Sequence, residues 1–68
     1  MNAKLLKSKM VLYGDTQAEL ADALGLSQTR LSSKINEYQG AQFTQAEIKS
    51  IKERYALTDS EVTSIFFS

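Results

Sequence analysis

The sequence contains no cysteine, histidine, proline or tryptophan, and each absence narrows the range of possible functions. Without cysteine there is no disulfide, and without cysteine and histidine we expect no structural zinc site. The same absences leave no thiol nucleophile and no side chain that ordinarily titrates near neutral pH. Since there is also no glycine-rich phosphate loop, we expect neither an enzyme nor a cofactor. The lack of proline suits a helical bundle, and 68 residues make one small domain, 1–68.

Net charge is also lacking, because eight basic and eight acidic side chains cancel. Residues 1–36 carry five basic and three acidic side chains, whereas residues 37–68 carry three basic and five acidic ones. No apolar run approaches the roughly 20 residues that cross a bilayer, and the N-terminus lacks the apolar core of a signal peptide. We therefore expect a cytoplasmic protein with no membrane partner.

What the chain does have is a set of helix signals. Three Thr-x-x-Glu capping boxes predict helix starts, at residues 16–19, 44–47 and 58–61, and each is followed by apolar residues at helical spacing. A first helix is predicted from about Ala3 to Tyr13, with Leu5, Leu6, Met10 and Tyr13 on its inner face. Residues 37–42 contain Gly40 and no apolar period, which predicts a loop. The expected fold is an all-α, compact bundle of five short helices.

Residues 16–36 predict two short helices joined by a turn. Gly25 supplies the left-handed conformation that ends the first helix, and Ser27 can cap the second. In the second helix only Leu31 and Ile35 form an apolar stripe, and every other side chain is polar. A helix with so narrow a buried face is suited to the DNA major groove, where base edges are met by amide, hydroxyl and guanidinium groups.

This segment resembles the helix-turn-helix of the lambda repressor and Cro superfamily, which includes phage-type and XRE-type regulators. The matching positions are Gln17, Ala21, Gly25, Leu26, Leu31 and Asn36. The chain departs from the pattern at Lys34, where the family often has an apolar residue. The resemblance implies a Cro-like repressor in a bacterial host cell, without the second domain of larger phage repressors. It would place its second helix, about residues 27–36, in double-stranded operator DNA and exclude RNA polymerase.

Candidate base contacts follow from the helical period together with this resemblance. Successive residues lie 100° apart, so part of the second helix points away from Leu31 and Ile35. Gln28 in the first turn is the best candidate for a bidentate contact to adenine. Arg30 is expected to reach either a guanine or a phosphate. The full set of candidate base contacts is Gln28, Thr29, Arg30, Ser32 and Ser33. The plain alternative is a solvated helix face.

Candidate phosphate contacts surround this face. Gln17 lies near a helix N-terminus, where free N–H groups favour an anion, and Asn36 closes the motif. The alternatives are that Gln17 is only a good helix former, that Asn36 is only a C-cap, and that lysines here are merely solvated. The full set of candidate phosphate contacts is Gln17, Ser27, Lys34, Asn36 and Lys9.

The C-terminal residues Ile65, Phe66 and Phe67 predict self-association. Two adjacent phenylalanines point about 100° apart on a helix, so one small domain can hardly bury both. A homodimer, at least on DNA, would pair two recognition helices across a two-fold axis. Alternatively, Phe66 completes the core and Phe67 folds back over it. The tail and the neutral charge also favour a second function, a protein-interaction module of the same fold that binds a partner phage repressor.

Overall fold

Helices make up the whole of the regular structure. The computed structural model describes all 68 residues and contains five α-helices and no strand. The all-α class and the number of helices predicted from the sequence are confirmed. The helices are α1 (Ala3–Leu12), α2 (Gln17–Leu24), α3 (Gln28–Ile35), α4 (Gln45–Arg54) and α5 (Asp59–Phe66). None of them is both long enough and apolar enough to cross a bilayer.

Every helix begins at a side chain that caps it. The three predicted capping boxes all form: each threonine hydroxyl accepts from the N–H of the glutamate three residues later at 3.1 Å. Each glutamate carboxylate accepts in return from the threonine N–H, at 2.8 to 3.2 Å. Ser27 caps α3 and Asn2 caps α1 through one hydrogen bond only, in which the side chain accepts from the N–H three residues later. Helix starts are therefore set by contacts within four consecutive residues.

The core lies where the inner faces of all five helices meet. Ten side chains are buried, and none of them is charged. A fully buried Leu, Ile or Met side chain contributes roughly 1.5–3 kcal/mol, which is how a chain without disulfides holds together. The buried residues are Leu6, Met10, Leu20, Ala21, Leu31, Ile35, Ile51, Tyr55, Leu57 and Ile65.

Two details differ from the sequence prediction. Tyr13, predicted for the inner face of α1, follows the end of the helix and remains 50% exposed. Its ring packs at the core edge against Tyr55, with 5.5 Å between centroids. The predicted loop after α3 contains a single 3-10 turn, Tyr38–Gly40, and Glu37 and Gln39 have left-handed backbone angles there.

Candidate nucleic-acid interface

Helix α3 packs on the rest of the protein through a narrow buried face. Leu31 is fully buried and Ile35 is 2% exposed, and they are the only buried residues of the helix. A three-residue turn joins α3 to α2. It begins at Gly25, whose left-handed φ of 68° ends α2, and the Leu26 N–H donates to the Ala21 carbonyl at 2.9 Å. The opposite side of α3 is consequently left uncovered by the chain.

The exposed side of α3 carries polar side chains that have no partner within the protein. Gln28, Thr29 and Arg30 are all exposed, and Ser33 is half-buried. None of these four side chains makes a hydrogen bond or an ion pair in the structure. Their amide, hydroxyl and guanidinium groups are thus available to an external ligand.

An open groove of about 460 Å³, lined mostly by polar residues, runs along this side of α3. It brings together six of the residues predicted to contact DNA and adds Tyr38, which sequence reasoning missed. Within the groove, the Asn36 amide donates to the Ser32 hydroxyl at 3.3 Å. Arg30 and Ser27 lie outside its lining, although both are exposed on the same helix and its cap. The lining residues are Gln17, Gln28, Thr29, Ser32, Ser33, Asn36 and Tyr38.

Lys34 lies outside the groove, between α3 and α4. Its ammonium group donates to the Glu47 carboxylate at 2.6 Å, and the two side chains are only 12% and 14% exposed. Burial raises the pKa of Glu47, but the hydrogen bonds from Lys34 and from the Thr44 backbone outweigh it and hold the pKa below its usual value. The Lys34 side chain therefore lies largely buried between the two helices, with its charged end neutralised by Glu47.

Lys9 is also engaged elsewhere. Its ammonium group pairs with Glu61 of α5, and this hydrogen bond, together with the Thr58 N–H, lowers the pKa of that carboxyl. Lys34 and Lys9 thus stabilise contacts between helices, and neither reaches the groove.

The remaining basic side chains are of two kinds, those that form an ion pair and those that do not. Lys52 pairs with Asp59, and Arg54 pairs with Asp15. No carboxylate partner is present for the remaining four cations, Lys4, Lys7, Arg30 and Lys49. Arg30 is the one free cation of α3, which contains no acidic residue.

The N-terminus of α2, which carries Gln17, is held by contacts to Asp15, the residue before its cap. Asp15 is 6% exposed at its side chain and accepts from Arg54 Nε at 2.7 Å and Nη2 at 2.8 Å. The Tyr55 hydroxyl donates to the same carboxylate. The Arg54 hydrogen bonds lower the pKa of Asp15, while burial and the neighbouring carboxylate raise that of Tyr55. Arg54 and Tyr55 lie 39 and 40 residues from Asp15 in sequence, so no local pattern predicts these contacts.

The C-terminal residues separate into three environments. Ile65 is fully buried in the core, so it has no surface to offer a second copy, contrary to its predicted place in a dimer contact. Phe66 is half-buried and packs edge-to-face on Phe43, with ring centroids 5.7 Å apart. Phe67 is 66% exposed at the rim of a cleft of about 180 Å³, which Met1 and Ile48 also line. Only Phe67 remains largely uncovered within one copy.

Comparison of the chain with family models, with curated proteins and with solved structures finds no match in any of the three. Within the structure, no three or more His, Cys, Asp or Glu side chains are grouped so that they could hold a metal ion. The case for a function therefore depends on the geometry of the groove and on the chemistry of its lining.

Proposed function

We propose that this protein is a sequence-specific DNA-binding transcriptional regulator that places α3 in the major groove of a duplex. The observation that carries the proposal is the row of unpartnered polar side chains along the uncovered side of α3. Base edges in the major groove present hydrogen-bond donors and acceptors, and amide, hydroxyl and guanidinium groups are what read them. Because α3 buries only two residues, the rest of its surface is free to enter the major groove of DNA.

Within this proposal, the candidate contact residues of α3 take different roles. Gln28, in the first turn of α3, contacts adenine through both ends of its amide, as its exposed position allows. Thr29, Ser32 and Ser33 meet other base edges or a thymine methyl group. Arg30 supplies the cation of the helix and contacts a guanine or a phosphate.

The phosphate contacts are at the ends of the groove. Gln17 lies in the first turn of α2, where the helix dipole and free N–H groups favour an anion, and Asn36 follows the last turn of α3. Ser27, the exposed cap of α3, lies at the same end as Gln28. With so few free cations, one copy binds few phosphates, so affinity is modest and falls steeply with added salt.

Dimerisation would compensate for the weak binding of one copy. The exposed Phe67 at the rim of the apolar cleft supports a contact between two copies, with Phe66 covered by Phe43 beneath it. Two copies related by a two-fold axis would read a palindromic operator. Binding there by a Cro-like protein would repress transcription by excluding RNA polymerase from the bacterial promoter.

A titration with matched variants tests this proposal. Duplexes are selected from a random library and compared with promoter DNA flanking the protein's own gene, using fluorescence anisotropy at two salt concentrations. Gln28→Ala is expected to weaken binding of the selected duplex by about 1–3 kcal/mol. Gln45→Ala is the matched control, because Gln45 is also an exposed glutamine and is the first residue of α4, as Gln28 is of α3.

Arg30→Ala has its own control in Lys49→Ala, which removes another exposed cation without an ion-pair partner. Loss of affinity in Arg30→Ala but not in Lys49→Ala supports the assignment of α3. Equal affinities for the wild type and for both α3 variants would show that α3 does not read DNA.

A second candidate function is a module that binds a partner repressor in place of DNA, and the cleft beside Phe67 favours it. A repression assay in cells separates the two functions. If α3 reads an operator, Gln28→Ala abolishes regulation. If the cleft binds a repressor, Phe67→Ser abolishes regulation, and Gln28→Ala leaves it unchanged.

A further inference from the structure

Tyr38 differs from the other two tyrosines of the chain in having no contact that explains it. Tyr55 is buried and its hydroxyl donates to Asp15, while the Tyr13 ring packs against the Tyr55 ring. The Tyr38 side chain is 63% exposed, and its hydroxyl makes no hydrogen bond within the protein. It is also the one aromatic residue that lines the groove along α3. Tyrosine is typical of binding surfaces because its ring is apolar and its hydroxyl is polar.

The turn that carries Tyr38 is closely held. The Ala41 N–H donates to the Tyr38 carbonyl at 3.0 Å, and the Gly40 N–H donates to the Glu37 carbonyl at 3.2 Å. Glu37 and Gln39, on either side of Tyr38, both have a φ of 52°. Left-handed backbone angles cost non-glycine residues of the order of 1–3 kcal/mol and persist where the surrounding structure imposes them. This backbone holds Tyr38 at the end of the groove.

The length of α3 and the width of the DNA major groove together indicate which part of the DNA Tyr38 would contact. Eight helical residues rise about 12 Å, so α3 is about as long as the DNA major groove is wide. If Gln28 lies at the base edges, a residue beyond the C-terminus of α3 reaches the side of the DNA major groove, where the sugar-phosphate backbone runs. Hydroxyl groups of tyrosine are among the donors that proteins offer to phosphate oxygens.

We infer that Tyr38 is a phosphate contact: its hydroxyl donates to a backbone phosphate at the edge of the major groove occupied by α3. This inference depends on the proposed DNA-binding function. Because the hydroxyl is neutral, the contact adds affinity and fixes the register of α3 without releasing a counterion of its own. It is a contact of the DNA backbone and carries no base preference.

Tyr38→Phe tests the inference because it removes only the hydroxyl from an exposed side chain. We expect about a tenfold loss of affinity, equal for selected and for random duplexes, as for a hydrogen bond to a charged group. The slope of log affinity against log salt should be unchanged. Tyr13→Phe, the other exposed tyrosine hydroxyl, is the matched control. Thermal unfolding followed by circular dichroism shows that both variants are folded.

Phosphate ethylation interference locates the contact. One phosphate in each half-site should interfere with binding of the wild type and cease to interfere with Tyr38→Phe. If Tyr38→Phe binds as the wild type does while Gln28→Ala binds weakly, the inference about Tyr38 is wrong and the proposed function stands. If the wild type shows no saturable DNA binding, the proposed function is wrong and the inference is overturned with it.

Discussion

Helices α3 and α4 begin alike, each with a hydroxyl cap followed by a glutamine, but their polar side chains differ in what they contact. Three charged residues of α4 reach neighbouring segments, where Glu47 pairs with Lys34, Lys52 with Asp59 and Arg54 with Asp15. In α3 only Lys34 is so engaged, and four other polar side chains have no partner. The unpaired polar residues of α4 line no cleft, whereas Gln28, Thr29 and Ser33 of α3 line the open groove.

A net charge of zero therefore conceals a difference between the two helices. Paired charges cancel where they hold helices together, and they leave the surface of α3 with one free cation and no acid. What matters for a ligand is which polar groups remain unsatisfied within the fold.

The largest effects are expected where the two helices enter the core. Leu31 of α3 and Ile51 of α4 are both fully buried. Leu31→Ala and Ile51→Ala should each lower the free energy of unfolding by about 2–5 kcal/mol, because each leaves a cavity. Urea denaturation followed by circular dichroism measures both. A loss below about 1 kcal/mol for Leu31→Ala alone would show that α3 is less firmly anchored than α4.

A smaller effect is expected at the ion pair between the end of α4 and the start of α2. Asp15→Asn should lower the free energy of unfolding at pH 7 by about 1–2 kcal/mol, since it weakens hydrogen bonds from a partly exposed Arg54. Asp22→Asn is the control, because the Asp22 carboxylate is exposed and has no partner. A loss as large in Asp22→Asn would contradict the assignment.

The stabilising contribution of Asp15 should depend on pH, and the direction of its pKa shift sets the direction of that dependence. The pKa of Asp15 is lowered in the folded protein, mainly by the hydrogen bonds from Arg54. Its stabilising contribution is therefore fully present above about pH 5 and is lost as the pH falls through the lowered folded value. The difference in stability between the wild type and Asp15→Asn should therefore shrink as the pH falls through the acidic range, once Asp15 is protonated in the folded protein too. A difference that stays constant with pH would show that the carboxylate charge does not matter.

The smallest effects are expected where α2 and α4 end in left-handed residues, Gly25 and Ala56, with φ of 68° and 49°. No atom lies within 4 Å of a Cβ built on Gly25, so Gly25→Ala carries only the conformational cost, about 1 kcal/mol. Ala56→Gly relieves the same cost and should raise stability by about 0.5 kcal/mol. Thermal unfolding followed by circular dichroism compares the two. Shifts of the same sign would mean that the two turns are not equivalent.

Much of the fold was predictable because its signals are local. The capping boxes, the Gly25 turn and the burial of Leu31 and Ile35 all depend on residues within one or two helical turns of each other. The groove was predictable in part for the same reason, since helical periodicity alone orients Thr29 and Ser33 away from the core.

The failures have one physical cause. The ion pair between Asp15 and Arg54 was not predicted. Leu57 was not assigned to the core, and Ile65 was assigned to a dimer contact although it is fully buried. Tyr38 was placed in a loop, and nothing nearby in sequence indicated that the turn would bring it to the groove. Each of these depends on where distant segments meet.

By itself the sequence determined where each helix starts, how α2 turns into α3 and which two residues anchor α3. Those features depend on hydrogen bonds and side-chain periods that span only a few residues. Only the tertiary structure decided which charges are neutralised and which polar groups stay free. An ion pair such as Asp15–Arg54 joins residues 39 positions apart, and its formation depends on how the helices pack together.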